Sequence, residues 1–460
     1  MGIGPVAVLA LTAAAFAQPS YEIDVSNDPA VKDGEPSLAV NPTNPRNLVI
    51  GHMKETGRDL GEIGRCAVAT SFDQGLTWQS RLLPLTDAFY GVCADPTVIF
   101  AADGTAYMAA IAFNLTFQTG HTVVTRSSDG GITWTPPVEA VGPTSLPSLL
   151  RDGVETDVDP FDRPWLAFDE KTGTLYLTTM TIFSRPMGPL SHRYLTASRD
   201  WGETWGNLSV VDSADYPADD FAIGTIAVGP DGTVAIAYAA RSVPEPGFTC
   251  PCVVLATTTD GATFSHHTVP FTDVMFGVNL PDQGDPPVLR FLYGPVVAAD
   301  PTRPGRYAVS VAGWKGLLPF ALGQFRVVPQ SRVQVQLFLT DDGGASWTAP
   351  APLGEDLARD REHVWIDYSP AGALGVTWRT HVGPCCFGST EVWSVVSRDG
   401  GTTFDPPRKV SHAPSPFTEG LGDDFQSVVL DGSTVHAAWG DKRSGEVEVY
   451  YGRLSIPPVD

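Results

Sequence analysis

The sequence predicts an all-β chain folded as a β-propeller of four-stranded antiparallel blades. Seven blades are favoured, with six as the alternative, and an N-terminal strand closes the ring. Three observations carry this expectation. Glycine and proline are abundant (46 and 40 of 460 residues) and no segment holds a long helical period, which favours short strands joined by turns. A turn-like octet, [S/T]-x-D-x-G-x-[S/T]-[W/F], recurs along the chain. A short apolar run recurs seven times at intervals of 60 to 71 residues.

The octets are SFDQGLTW (Ser71 to Trp78), SSDGGITW (Ser127 to Trp134), SRDWGETW (Ser198 to Trp205), TDDGGASW (Thr340 to Trp347) and SRDGGTTF (Ser397 to Phe404). A shortened copy, TTDGATF, spans Thr258 to Phe264 and brings the total to six. Aspartate can accept bonds from its own turn, glycine supplies positive φ, and the aromatic residue can plug the gap between blades.

The apolar runs are EPSLAV, DPTVIF, RPWLAF, IGTIAV, GPVVAA, HVWIDY and FQSVVL, with second residues Pro36, Pro96, Pro164, Gly224, Pro295, Val364 and Gln426. Such nearly continuous apolarity suits an inner strand packed between neighbouring blades. A second β-rich run follows each one, several across Asp-Gly turns such as Asp103-Gly104 and Asp231-Gly232. A third strand leads into each octet and a fourth leaves it. Unit seven ends after three strands at EVEVYYGRL, while YEIDVS (Tyr21 to Ser26) precedes unit one with no blade of its own. That segment is expected to be the outer strand of blade seven, and closure removes exposed sheet edges.

Residues 1–17 read as a secretory signal peptide, with an apolar run from Ile3 to Phe16 and Ala15-Phe16-Ala17 as a small-x-small cleavage site. Residues 18–460 read as a single propeller domain with six box turns. The expected location is secreted or periplasmic, with no membrane insertion after cleavage and a monomeric state. A net charge of −23 argues against nucleic acid and anionic membranes as partners. No cofactor is expected. An acidic rim could hold Ca²⁺, and thiolates grouped with His381 could hold Zn²⁺ or Cu⁺, but no spacing matches a standard metal motif.

The octets are identified as Asp boxes, or BNR repeats, and the chain resembles the sialidase-like β-propeller superfamily over nearly all of its mature length. The resemblance implies that the boxes lie between third and fourth strands, on the face away from the active site. It also implies three arginines for a substrate carboxylate, an acid/base carboxyl group and a tyrosine nucleophile raised by a glutamate.

With the boxes at the bottom, segments leading into first strands and leaving second strands build the top face. They bring Glu35, Asp95, Asp162, Arg163, Tyr293, Arg361, Glu362 and His363, then Arg241, Arg379, His381 and Arg443. The catalytic candidates are Asp95, Asp162, Tyr293 and Glu362, with Asp95 or Asp162 as the acid. The substrate-binding candidates are Arg163, Arg241, Arg361, Arg379 and Arg443. The F/Y-R-I-P motif of sialidases is absent: GEPSLAV places Glu35 in that slot, and FDRPW (Phe161 to Trp165) only approaches it. The structural alternative for each residue is a salt bridge or turn cap at a blade junction.

Six cysteines in an exported chain suggest disulfides, and Cys66 and Cys93, in adjacent units, could pair. Cys250, Cys252, Cys385 and Cys386 could form local bridges or cross-link loops. The expected function is a secreted carbohydrate-active propeller, foremost a sialidase-like exo-glycosidase on acidic glycans. The alternatives are a polysaccharide lyase on uronate polymers, using Tyr293, His363 and Arg361, or a non-catalytic propeller that binds glycans or proteins.

Overall fold

The computed structural model describes residues 20–55, 64–85, 91–113, 120–142, 161–181, 192–218, 223–240, 253–275, 277–279, 289–292, 294–315, 318–321, 324–326, 332–348, 353, 359–383, 388–416 and 425–456. They form seven antiparallel blades of a β-propeller. The first strands of blades one to seven are Asp33–Val40, Val92–Phe100, Phe161–Asp169, Ile226–Val228, Val296–Ala299, Arg361–Tyr368 and Gln426–Leu430. Each of these starts its sheet at the axis, and later strands step outward.

Blade seven is completed by Tyr21–Asp24, which pairs antiparallel with Glu448–Ser455 from Tyr21↔Arg453 to Asp24↔Tyr450. Arg443 ties the same closure from its side, with Nη1 donating to Glu22 Oε1 at 2.6 Å. Seven blades are therefore present, and the first described strand closes the ring. Blade five departs from the repeat. Among the described residues its fourth position holds only the bridge Leu339↔Thr348, and Val274–Met275 adds to its second strand, Tyr307–Lys315. The run after Trp347 reads TAPAPL, and its two prolines lack the N–H a ladder needs.

The core is laid down between blades. The second strand of blade two, Ala106–Phe113, is buried throughout, and its small alanines let the neighbouring sheets approach. Box aromatics fill the outer gaps: the Trp78 ring lies 5.1 Å from Tyr451 of blade seven. Gly75 is required there, because its φ is +80° and an added Cβ would fall 2.3 Å from the Tyr451 ring.

The box turns are self-contained hydrogen-bond units. Asp129 Oδ1 accepts from Ser127 Oγ at 2.7 Å and from the Thr133 N–H at 2.8 Å, and Oδ2 accepts from Thr133 Oγ1 at 2.6 Å. Equivalent bonds, above all from the neighbouring hydroxyl, hold the Asp200 and Asp342 carboxyls down at about 2. The predicted Cys66–Cys93 disulfide is present and staples blade one to blade two, with the Cα atoms 5.4 Å apart. The other four cysteines lie outside the described residues.

Candidate functional site

The strand register assigns the two ends of the propeller. Ser71, which starts a box, pairs with Leu48 at the beginning of a second strand. Gly34, which starts a first strand, pairs with Met53 near the end of that second strand. Boxes and first-strand starts therefore lie at opposite ends.

At the end opposite the boxes, four first strands break register at the same place. The shifts fall between Gly34 and Ser37, Ala94 and Thr97, Asp162 and Trp165, and Glu362 and Trp365. Each break contains a non-glycine residue in the left-handed region: Glu35 (φ +54°), Asp95 (+51°), Arg163 (+50°) and His363 (+48°). Such backbone costs about 1–3 kcal/mol per residue and concentrates at functional sites. Bulges of this kind re-aim a side chain, and here they carry four ionisable ones.

In blades one to three these residues form a buried acidic relay. Glu35 Oε2 accepts the Asp95 backbone N–H at 2.8 Å, and Asp95 Oδ2 accepts the Arg163 backbone N–H at 3.1 Å. Arg163 Nε lies 4.0 Å from Asp162 Oδ2. Burial, and then the charges of Asp162 and Glu35, push the Asp95 carboxyl well above its ordinary range, against the pull of Arg163.

Blade six supplies the opposite situation. Glu362 Oε2 lies 3.2 Å from His381 Nε2, and Oε1 lies 3.4 Å from His363 Nδ1, with all three side chains buried. Burial disfavours the Glu362 charge, but His381 and His363 outweigh it and hold the carboxyl well below its ordinary range. His381 is raised in turn, its own burial outweighed by Glu362. Arg379 Nε donates to Gln426 Oε1 of blade seven at 3.2 Å. Arg361 lies 5.7 Å above the Trp378 ring and bonds the Leu353 carbonyl.

Aromatic rings cross the axis. Trp165 of blade three lies 5.1 Å from Trp365 of blade six and 5.3 Å from Phe425 at the start of blade seven. Blade three neighbours neither blade six nor blade seven in the ring, so its tryptophan meets the other two rings across the channel.

Of the sequence-predicted residues, Asp95, Asp162 and Arg163 are brought together, as are Glu362, Arg361 and Arg379. Arg443 is held between Asp441 and Glu22 beside the outer strand of blade seven. Tyr293 and Arg241 lie outside the described residues. Sequence reasoning missed Arg193, which is fully buried, is pushed down to about 10 first by burial and next by Arg163, and donates to the Gly224 carbonyl at 3.2 Å. Its signal was Gly224 itself, where a Cβ would lie 2.7 Å from the Arg193 guanidinium. Among the described residues no group of three or more His, Cys, Asp or Glu is placed to hold a metal ion.

Solved structures share this architecture. A Trypanosoma rangeli sialidase in complex with 2,3-difluorosialic acid aligns with a TM-score of 0.50 at 11% identity, over 94% of this chain and 58% of that one. The likeness is one of fold, a β-propeller. A Fusarium graminearum GH93 α-L-arabinofuranosidase in complex with arabinobiose aligns with a TM-score of 0.49 at 13% identity, over 96% and 98%. A Dyadobacter fermentans protein of unknown function aligns with a TM-score of 0.46 at 13% identity, over 95% and 98%. No family model and no curated protein matches the chain. At 11% identity the likeness to the Trypanosoma rangeli structure shows the fold alone and leaves the substrate to the site itself.

Proposed function

We propose that this chain is an exported exo-glycosidase of sialidase type, acting on acidic glycans at the end of the channel opposite the box turns. One observation carries the reading: two carboxyl groups at that end have acidities pushed in opposite directions. Asp95 is pushed well above its ordinary range by burial and by the charges of Asp162 and Glu35. Glu362 is held ionised by His381 and His363. Environments that split two acids in this way assign an acid and a base.

In this reading Asp95 protonates the leaving glycosidic oxygen, with Asp162 beside it as its partner. Glu362 is the carboxylate that raises Tyr293 as nucleophile. Arg163, Arg361 and Arg379, with Arg241, bind the substrate carboxylate through the planar guanidinium fork. The pH dependence follows from the directions. Activity falls as pH rises through the raised Asp95 value, and falls again only in strong acid, where Glu362 protonates.

The test is a screen of aryl-glycosides and acidic oligosaccharides, sialosides included, with the oxidised protein. The expected result is release of a free monosaccharide, lost by about 10²-fold or more in Asp95→Asn and weakened in Arg379→Ala. No turnover, or full activity of both variants, would defeat the reading. A uronate lyase is the second reading, favoured by His363, an ionisable side chain held at a left-handed position beside Glu362. A product with new ultraviolet absorbance would mark it.

A further inference from the structure

The face that carries the boxes holds a cavity which the glycosidase reading leaves unused. It lies between blades two and three, encloses about 380 Å³, and is lined by Asp103, Tyr107, Arg126, Trp134 and Trp201. A second hollow of about 280 Å³ shares Tyr107, Arg126 and Trp201 with it.

Two features of this cavity have no role in the box turn. Trp201 occupies the position before the box glycine, at φ +62°, where other boxes place Gln74, Gly130, Gly343 and Gly400. A tryptophan there is strained and remains 45% exposed, stacked on one side against Phe168 at 6.2 Å. Arg126 pins it in place: Nη1 donates to the Trp201 carbonyl at 3.0 Å and Nη2 to Glu203 Oε1 at 2.9 Å. The second feature is Tyr107. It is fully buried, and its hydroxyl has no hydrogen-bond partner among the described residues. A buried donor left without a partner costs about 1–3 kcal/mol. Burial, and then the charge of Asp103, push this hydroxyl up to about 12, so it stays a neutral donor.

We propose that this cavity is a binding site for a neutral glycan, separate from the channel. A pyranose presents an apolar C–H face and a rim of hydroxyls. The face stacks on Trp201 with Trp134 beside it, one hydroxyl accepts from Tyr107, and another donates to Asp103. The net charge of −23 disfavours a polyanionic ligand here. Because the cavity opens on the box face, a polysaccharide held there leaves the channel end free. Binding there raises the local concentration of chains at the other end. The inference does not depend on the glycosidase reading.

The experiment uses the full chain with cellohexaose, xylohexaose, mannohexaose and galactan oligosaccharides, followed by tryptophan fluorescence and calorimetry. At least one is expected to bind. Trp201→Gly, which places the residue found in three other boxes, should weaken it tenfold or more. Tyr107→Phe should weaken it about threefold to tenfold, since one neutral hydrogen bond is lost. Both variants should melt at or above the wild-type temperature, since one relieves a strained backbone and the other removes an unpartnered buried hydroxyl, and both should keep any channel activity. Absence of binding to all four at millimolar concentration, or binding unchanged in Trp201→Gly, would overturn the proposal. Absence of turnover by the wild-type chain with glycan binding intact would strike the glycosidase reading alone.

Discussion

Asp367 offers a quantitative test of how this propeller tolerates buried carboxyl groups. It lies near the box end of the first strand of blade six, and its Oδ2 accepts the Leu430 N–H of blade seven at 2.9 Å. Burial pushes the carboxyl from 3.8 up to about 7, against the pull of the Leu430 and Tyr368 backbone N–H groups. The folded state therefore prefers the protonated form. Its contribution is fully present below the ordinary value and is lost as pH rises through about 7. A gap of roughly three pH units at about 1.4 kcal/mol each is about 4 kcal/mol at pH 8, as an upper figure. Asp367→Asn keeps the acceptor and removes the charge. A chain of this length unfolds with an entropy of about 1 kcal/mol/K, so the variant should melt up to about 4 °C higher at pH 8. At pH 4 the two proteins should melt together. Thermal scans at pH 4, 6 and 8 measure the difference directly. A gain that does not change with pH, or a loss at pH 8, would refute the assignment of a buried, charge-averse carboxyl to this position.

Two further outcomes test the frame around the site. Asp129→Ala should lower the melting temperature by roughly 0.5–2 °C, in line with the loss of a turn-capping carboxylate. It should leave turnover at the channel end within about twofold, and a larger loss of turnover without a change in melting would make the box part of the channel site rather than a support. Cys66→Ser with Cys93→Ser opens a loop of 27 residues, which the chain-entropy model converts to about 3.5 kcal/mol of lost stability. Denaturant unfolding under non-reducing conditions reads that loss, and equal stability of the two proteins would mean the staple constrains nothing.

The blades were legible because they repeat. Box octets and apolar runs advance at one period, so strand direction, blade register and the role of Tyr21–Asp24 follow from spacing alone. The end of the propeller that carries Asp95, Arg163 and Glu362 was legible for the same reason. The left-handed bulges were not, since a residue's identity does not report its φ. A partial signal existed in the repeat alignment: Glu35, Asp95 and Arg163 each precede proline, and Gly294, at φ +116°, fills the same slot before Pro295. Glycine in a slot that other units fill with charged residues points to positive φ. Arg443 was misleading for a different reason. It leaves an equivalent second strand, but blade seven is closed by a strand from the other end of the chain, and Glu22 on that strand captures it.

The acidic relay can be weighed against a purely architectural role. Three other ties between neighbouring first strands use neutral hydroxyls: Ser37 Oγ accepts the Val98 N–H at 3.0 Å, Ser427 Oγ the Leu38 N–H at 3.1 Å, and Thr225 Oγ1 the Val297 N–H at 2.8 Å. A fourth, Asp367 to Leu430, uses a lone carboxyl, shifted by burial and backbone N–H groups rather than by a second acid beside it. A serine thus suffices to join two blades at the axis. Glu35 and Asp95 do the same work with carboxyl groups, on left-handed backbone, buried beside one another and beside Asp162. Each of those choices is less favourable than the neutral alternative that the same fold uses a few residues away. Blade tying therefore explains why an acceptor is present and does not explain why it is an acid. The two aspartates separate the explanations. At Asp367 only the acceptor matters, so asparagine should be tolerated. At Asp95 the proposed mechanism requires the proton itself, so asparagine should preserve the fold and lower turnover by about 10²-fold or more.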